Sequence, residues 1–122
     1  MPVTIKRVYE NAEPADGTRI LVDRLWPRGV SRSRAAVSEW DKDIAPSPDL
    51  RTWWGHDPDR LTEFAARYRD ELDTLPAARE AVIHLLDLLR AGGTVTLVYA
   101  AKDPRVNHAA ILADHLRDRL DS

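Results

Sequence analysis

The stretch "RAGGTVTLVYAAKD", residues 90–103, decides the fold. Gly92 and Gly93 stop whatever precedes them. Thr94 to Ala100, "TVTLVYA", is then a short apolar and partly β-branched run, closed on its far side by Asp103-Pro104. That length and composition predict a buried strand. Upstream, Val82, Leu85, Leu86 and Leu89 recur at helical spacing and predict a helix running to about Ala91. Downstream, Leu112, Leu116 and Leu120 do the same for a helix that starts at about Asp103 or Asn107. Helix, Gly-Gly, strand and helix in that order form an α/β signature. The expectation is a single α/β domain over residues 1–122, with a small, mostly parallel sheet of three to four strands flanked by helices.

Working back toward the start, Val3 to Val8 alternates and reads as a strand, and Arg19 to Asp23 reads as a central one. About ten residues join them, with Asp16-Gly17 as a turn signal; so short a connection favours a hairpin, whereas a crossover would make the two strands parallel. Ser31 caps a short helix through about Ser38. "SEWDKDIAP" is a candidate third strand, with Trp40 and Ile44 on one face by period two. Ser47-Pro48, Asp57-Pro58 and Asp103-Pro104 each set a capping side chain before a proline at the first helical position, and Pro76 repeats the device after Leu75. Leu61, Phe64, Tyr68 and Leu72 line one face of a helix from Asp57 to about Asp73. The expected core includes Leu21, Phe64, Tyr68, Leu85, Leu86, Leu97 and Leu112.

The chain has 122 residues, enough to bury roughly two thirds of the surface its unfolded form exposes. It has no cysteine, which excludes disulfides, thiolate metal sites and thiol nucleophiles. No apolar run approaches the ~20 residues of a membrane span, and "MPVTIKRVYE" lacks the apolar stretch of a signal peptide. A cytoplasmic location, with no membrane partner, is the expectation. Net charge is −2, so nucleic acid is not the expected partner. One window departs from this balance: Arg19 to Arg34 holds five arginines and one aspartate. It is either a solvated basic face or the wall of a ligand pocket.

That window contains "LVDRLWPRG", residues 21–29, a strand that ends in a dense polar cluster. If this strand and Thr94–Ala100 run parallel, their carboxyl ends share an edge, where open α/β sheets bind ligands. The residues gathered there would be Asp23, Arg24, Trp26, Arg28, Lys102, Asp103, Asn107 and His108. Arg24 and Arg28 are candidates to clamp an anionic group, with Lys102 as a third cation. Trp26 either stacks on a planar ligand or packs against the core. His108, oriented by Asp23 or Asp103, is a candidate for proton transfer, while Asn107 is a candidate cap of the last helix. His108 and His115 are seven residues apart, too far along a helix for a chelating pair, so no metal is expected. Neither a glycine-rich phosphate loop nor G-x-S-x-G is present, and no cofactor is implied. "TWWGHDP", residues 52–58, reads as a loop anchor or a partner-binding patch.

Several long motifs, "DGTRILVDRLWPRGVSR", "WDKDIAPSPDLRTWWGHDP", "EF…RY…EL" and "VTLVYAAKD…NHAAIL", together resemble the domain of unknown function 488 family, in its YeaO-like branch. The likeness runs from about Ile5 to Leu116. It implies a compact α/β domain and draws attention to two loops, because longer relatives look similar in ending two strands with "DVR" and "CHR". Asp23-Arg24 and Asn107-His108 stand at the corresponding places. Asn107 replaces the cysteine of those relatives, so thiol chemistry does not carry over.

Three functions fit these residues. The first is a small enzyme or ligand-binding domain for a small anionic molecule bearing phosphate or carboxylate. The second is a non-catalytic module with a protein partner. The third, a nucleic-acid binder, demands a steep salt dependence and is opposed by the acidic remainder of the chain.

Overall fold

The computed structural model describes residues 3–121. Its centre is a four-stranded, wholly parallel sheet: β1 (Val3–Arg7), β2 (Thr18–Leu21), β3 (Glu39–Trp40) and β4 (Val95–Tyr99), in the spatial order β1-β4-β2-β3. The α/β class and the mostly parallel sheet are as the sequence predicts. The hairpin is not: β1 and β2 both pair with β4, Ile5 and Ile20 flanking Leu97 from either side. A strand from the far end of the chain fills the space between them. All five residues of β4 are buried, as expected of a central strand covered on both faces.

The two faces are covered differently. Ile20, Val22, Val95, Leu97 and Tyr99 meet the main core, built with α2 (Pro48–Trp54), α3 (Leu61–Thr74), α4 (Pro76–Arg90) and α5 (His108–Leu120). Phe64 is stacked on Trp54 at 3.9 Å between ring centroids. Leu21 and Val98, of opposite phase by strand alternation, meet a smaller cluster with Val8, Val30 and Ala35. This second layer contains α1 (Arg32–Ala35), capped by Ser31, whose side chain accepts from the Arg34 N–H at 3.1 Å. All seven residues expected in the core are buried, Leu21 in the smaller cluster.

Buried polar groups tie the second layer down. Arg19, 3% exposed, donates from Nε and Nη2 to the Ala35 carbonyl at 3.1 and 2.8 Å and from Nη1 to Asp16 at 2.7 Å. Burial alone would raise the Asp16 carboxyl, but the Glu13 N–H, Arg19 and Lys6 more than offset it and hold it below the ordinary carboxylate value.

Three local expectations are corrected. β3 is two residues long and gives way to a 3₁₀ turn, Lys42–Ile44, so Trp40 joins the small cluster and Ile44 the main core instead of sharing a face. The helix expected from Asp57 begins at Leu61, after a 3₁₀ turn at Pro58–Arg60. Asp103-Pro104 starts no helix: Asp103 Oδ1 accepts from the Arg105 and Val106 N–H groups in a turn, and Asn107 caps α5.

Candidate functional site

Beyond β2, the Val22 N–H still reaches the Val98 carbonyl at 3.0 Å, so Asp23 arrives beside the end of β4. There Asp23 Oδ2 accepts a 3.0 Å hydrogen bond from the Ala100 N–H. α5 begins above the same edge. Its first residue, His108, has Nε2 2.9 Å from the Val22 carbonyl oxygen and 3.2 Å from Asp23 Oδ1. The ring stands edge-on to buried Tyr68, whose hydroxyl donates to the Ile44 carbonyl at 2.6 Å.

These groups form one wall of a cavity of about 240 Å³ at the carboxyl edge of the sheet. Asp23, Arg24 and Leu25 contribute from the end of β2, Ala100 and Ala101 from β4, and His108 from α5. The opposite wall comes from elsewhere: Ala45 and Pro46, then Arg51 and Trp54 of α2, and His56 just beyond it. Arg24 Nη2 lies 3.3 and 3.4 Å from the carbonyl oxygens of Ala45 and Pro46, and its Nε is buried with no hydrogen-bond partner among the described residues. Gly55 and His56 are both left-handed, each at φ 56°, a conformation unusual for a histidine. It lays the imidazole on Trp54, 4.5 Å between centroids. Burial, followed by Arg51 and His108, holds the His56 imidazole below its ordinary value, with Asp23 opposing. Arg24 and Arg51 against Asp23 leave one formal positive charge before the histidines are counted.

The eight residues singled out in the sequence are therefore divided. Asp23, Arg24 and His108 line the cavity. Asn107 is buried behind it with both polar ends committed, Oδ1 to the Ala110 N–H at 2.8 Å and Nδ2 to the Asp103 carbonyl at 2.9 Å. Trp26, Arg28, Lys102 and Asp103 are not part of the lining. After Leu25 the chain turns to the second layer, where Trp26 Nε1 donates to the Val30 carbonyl at 2.7 Å and the ring packs edge-on to Trp40. Arg28, Lys102 and Asp103 are exposed. The Arg19–Arg34 window is divided too: Arg19 is a buried structural group, Arg24 faces the cavity, and Arg28, Arg32 and Arg34 are exposed.

Two further lining residues are Arg51 and His56, the latter within "TWWGHDP", expected to be a loop anchor or a partner-binding patch and not part of this cavity. Nothing in sequence marks Arg51. For His56 the signal was its place in "WWGH", directly after a helix-ending glycine. Within that motif the anchoring reading is the one the geometry supports, since Trp54 is buried against Phe64. Among the described residues, no group of three or more His, Asp or Glu side chains is placed to hold a metal ion, and no helix is long and apolar enough to cross a membrane.

Fold and site together define a small parallel α/β domain with a charged cavity at the carboxyl edge of its sheet. The chain belongs to the domain of unknown function 488 family: the model described as "Inactive DUF488-N3 subclade" matches residues 2–122. It is 44% identical over 117 residues to Uncharacterized protein Rv3073c of Mycobacterium tuberculosis, covering 96% of this chain and 95% of the relative. It is 43% identical, also over 117 residues, to Uncharacterized protein YeaO of Escherichia coli, covering 96% and 98%. No solved structure matches the chain.

Proposed function

We propose that the protein is a binding domain for a small anionic molecule bearing a phosphate or carboxylate group, held at the sheet edge by Arg24 and Arg51. One observation carries this reading. Arg24 lines the cavity with its Nη1 free of hydrogen-bond partners among the described residues and not among the buried polar atoms, and its Nη2 makes only long contacts with two carbonyls. Guanidinium N–H groups that open on a cavity without protein acceptors find their best partner in an anionic oxygen. Arg51 on the opposite wall supplies the second cation. The description of the matched subclade as inactive supports binding over turnover. So does Asn107, which stands where longer relatives carry a cysteine and has no free polar atom. A cytoplasmic location belongs to the same proposal, supported by the cysteine-free composition.

The test is titration of inorganic phosphate and of lactate at low ionic strength, followed by calorimetry and thermal unfolding. The expected result is a concentration-dependent rise in Tm that is lost in the Arg24→Ala, Arg51→Ala double variant, because a ligand bound only to the native state shifts unfolding. A folded double variant that responds like the wild type would remove both arginines from the site and favour the protein-interaction module instead.

A further inference from the structure

We infer that the ligand carries a hydrogen-bond donor, a hydroxyl or an amine, beside its anionic group, and that His108 Nδ1 accepts from it. The inference rests on the binding reading above and adds a second point of recognition to it.

The Val22 carbonyl fixes which nitrogen of the His108 ring carries a proton. A carbonyl oxygen only accepts, so His108 Nε2, 2.9 Å away, carries a proton. Asp23 Oδ1, 3.2 Å from the same nitrogen, is likewise an acceptor. Asp23 is itself held through Oδ2 by the Ala100 N–H, while Oδ1 is buried and makes no hydrogen bond among the described residues. In the neutral form, which is required at the pH of binding, an imidazole has one N–H. With that proton on Nε2, Nδ1 is left as a bare acceptor. Nδ1 has no hydrogen-bond partner among the described residues, and it is not among the buried polar atoms lacking one. It is therefore accessible, and His108 is one of the residues that line the cavity.

The cavity thus offers guanidinium donors from Arg24 and Arg51 and an imidazole acceptor from His108. An anion with no donor satisfies the first set and strips water from Nδ1 without replacing its hydrogen bond. An anion with a hydroxyl or amine satisfies both. Sites built to hydrogen-bond such a group discriminate sharply against analogues that lack it. At about 240 Å³ the space is smaller than a pocket for a drug-sized molecule. The ligand class is accordingly a short hydroxy or amino acid, or a hydroxyalkyl or aminoalkyl phosphate.

Two matched pairs test this by calorimetry: glycerol 3-phosphate against propyl phosphate, and lactate against propionate. In the pair whose anion the site takes, the hydroxylated member is expected to bind about tenfold more tightly. Which pair responds distinguishes phosphate from carboxylate. Equal affinities within the pairs would overturn the inference and leave the anion site standing; failure of all four to bind would overturn both. In His108→Phe the difference between pair members is expected to vanish, and its persistence would count against His108. Because that variant strips the Val22 carbonyl of its donor and can misfold, ¹⁵N resonances of the wild-type imidazole give an independent readout. The Nε2–H tautomer is expected, with an Nδ1 shift on saturation with the hydroxylated ligand that its deoxy partner does not produce. An Nδ1–H tautomer, or a ring protonated on both nitrogens at the pH of binding, would refute the assignment.

Discussion

Asp23 Oδ2 accepts a hydrogen bond from the Ala100 N–H at 3.0 Å, joining the ends of two parallel strands through a side chain where the backbone ladder stops. The other oxygen of the same carboxylate lies 3.2 Å from His108 Nε2. One residue thereby ties the end of β2 to the end of β4 and sets a carboxylate beside the start of α5. Asp23→Ala leaves the partly buried Ala100 N–H without its acceptor and is expected to cost about 1–3 kcal/mol. Asp23→Asn, which keeps an oxygen there, should cost less. Urea unfolding with an unchanged m value measures both; equal losses for the two variants would contradict this role.

Phe64 is fully buried between Trp54 and Tyr68, with ring centroids 3.9 and 5.8 Å away. Phe64→Ala is expected to destabilise the protein by about 3–5 kcal/mol in chemical denaturation. It should also weaken the proposed anion binding, because Trp54 continues from this stack into the cavity wall. A loss below about 1 kcal/mol would be incompatible with this packing.

His115 is buried on α5, facing Asp73 at 3.3 Å together with Arg119 and Arg69. Burial holds its imidazole below the ordinary histidine value of 6.5, with Asp73 opposing and the two arginines reinforcing. The folded protein therefore resists a proton that the unfolded chain accepts. This contribution to stability is complete above the unfolded value, declines as the pH falls below it, and stops declining once the folded imidazole is also protonated. His56, shifted in the same direction, adds to the slope. His115→Gln should flatten the profile of unfolding free energy between pH 7 and pH 5. An unchanged profile would exclude His115 as a source of the pH dependence.

Gly17 and Gly29 both have positive φ, +64° and +72°, but their surroundings differ. A Cβ at Gly17 would run into the backbone carbonyl of Thr94, which also accepts the Thr18 N–H as β2 enters the sheet. A Cβ at Gly29 would meet nothing within 4 Å. Gly17→Ala is expected to cost more than about 2 kcal/mol, combining backbone strain with a clash, and Gly29→Ala about 1 kcal/mol from strain alone. Thermal unfolding of the two variants side by side checks the order.

What could be read in advance follows from how local each signal is. Val95–Tyr99 was legible as a strand because burial on both faces leaves an unbroken apolar run. Ser47-Pro48 and Pro76 were legible as helix starts because capping acts within one turn. Asp103-Pro104 misled because the same Asx geometry also serves an isolated turn. The relation of β1 to β2 was not legible, since it depends on a strand more than seventy residues further on. The cavity shows the same division. Asp23, Arg24 and His108 follow from the rule that ligands meet strand ends, whereas Arg51 and His56 reach that edge only because Trp54 and Leu50 seat α2 on the core. The exposed places of Arg28 and Lys102 depend on the direction each loop takes after its strand, which neither composition nor periodicity encodes.

The placement of β4 between β1 and β2 also sets the order in which the molecule can be made. About 70 residues separate Leu21 from Val95, which at ribosomal speeds is about 4–15 s of synthesis. During that interval β1 has no backbone partner and β2 has only the two-residue β3, and the buried face of Ile20 and Val22 awaits helices that are themselves still emerging. The nascent chain cannot settle its amino-terminal half first and add the rest. Folding must wait for the last third of the message, and its rate should carry the cost of closing long loops.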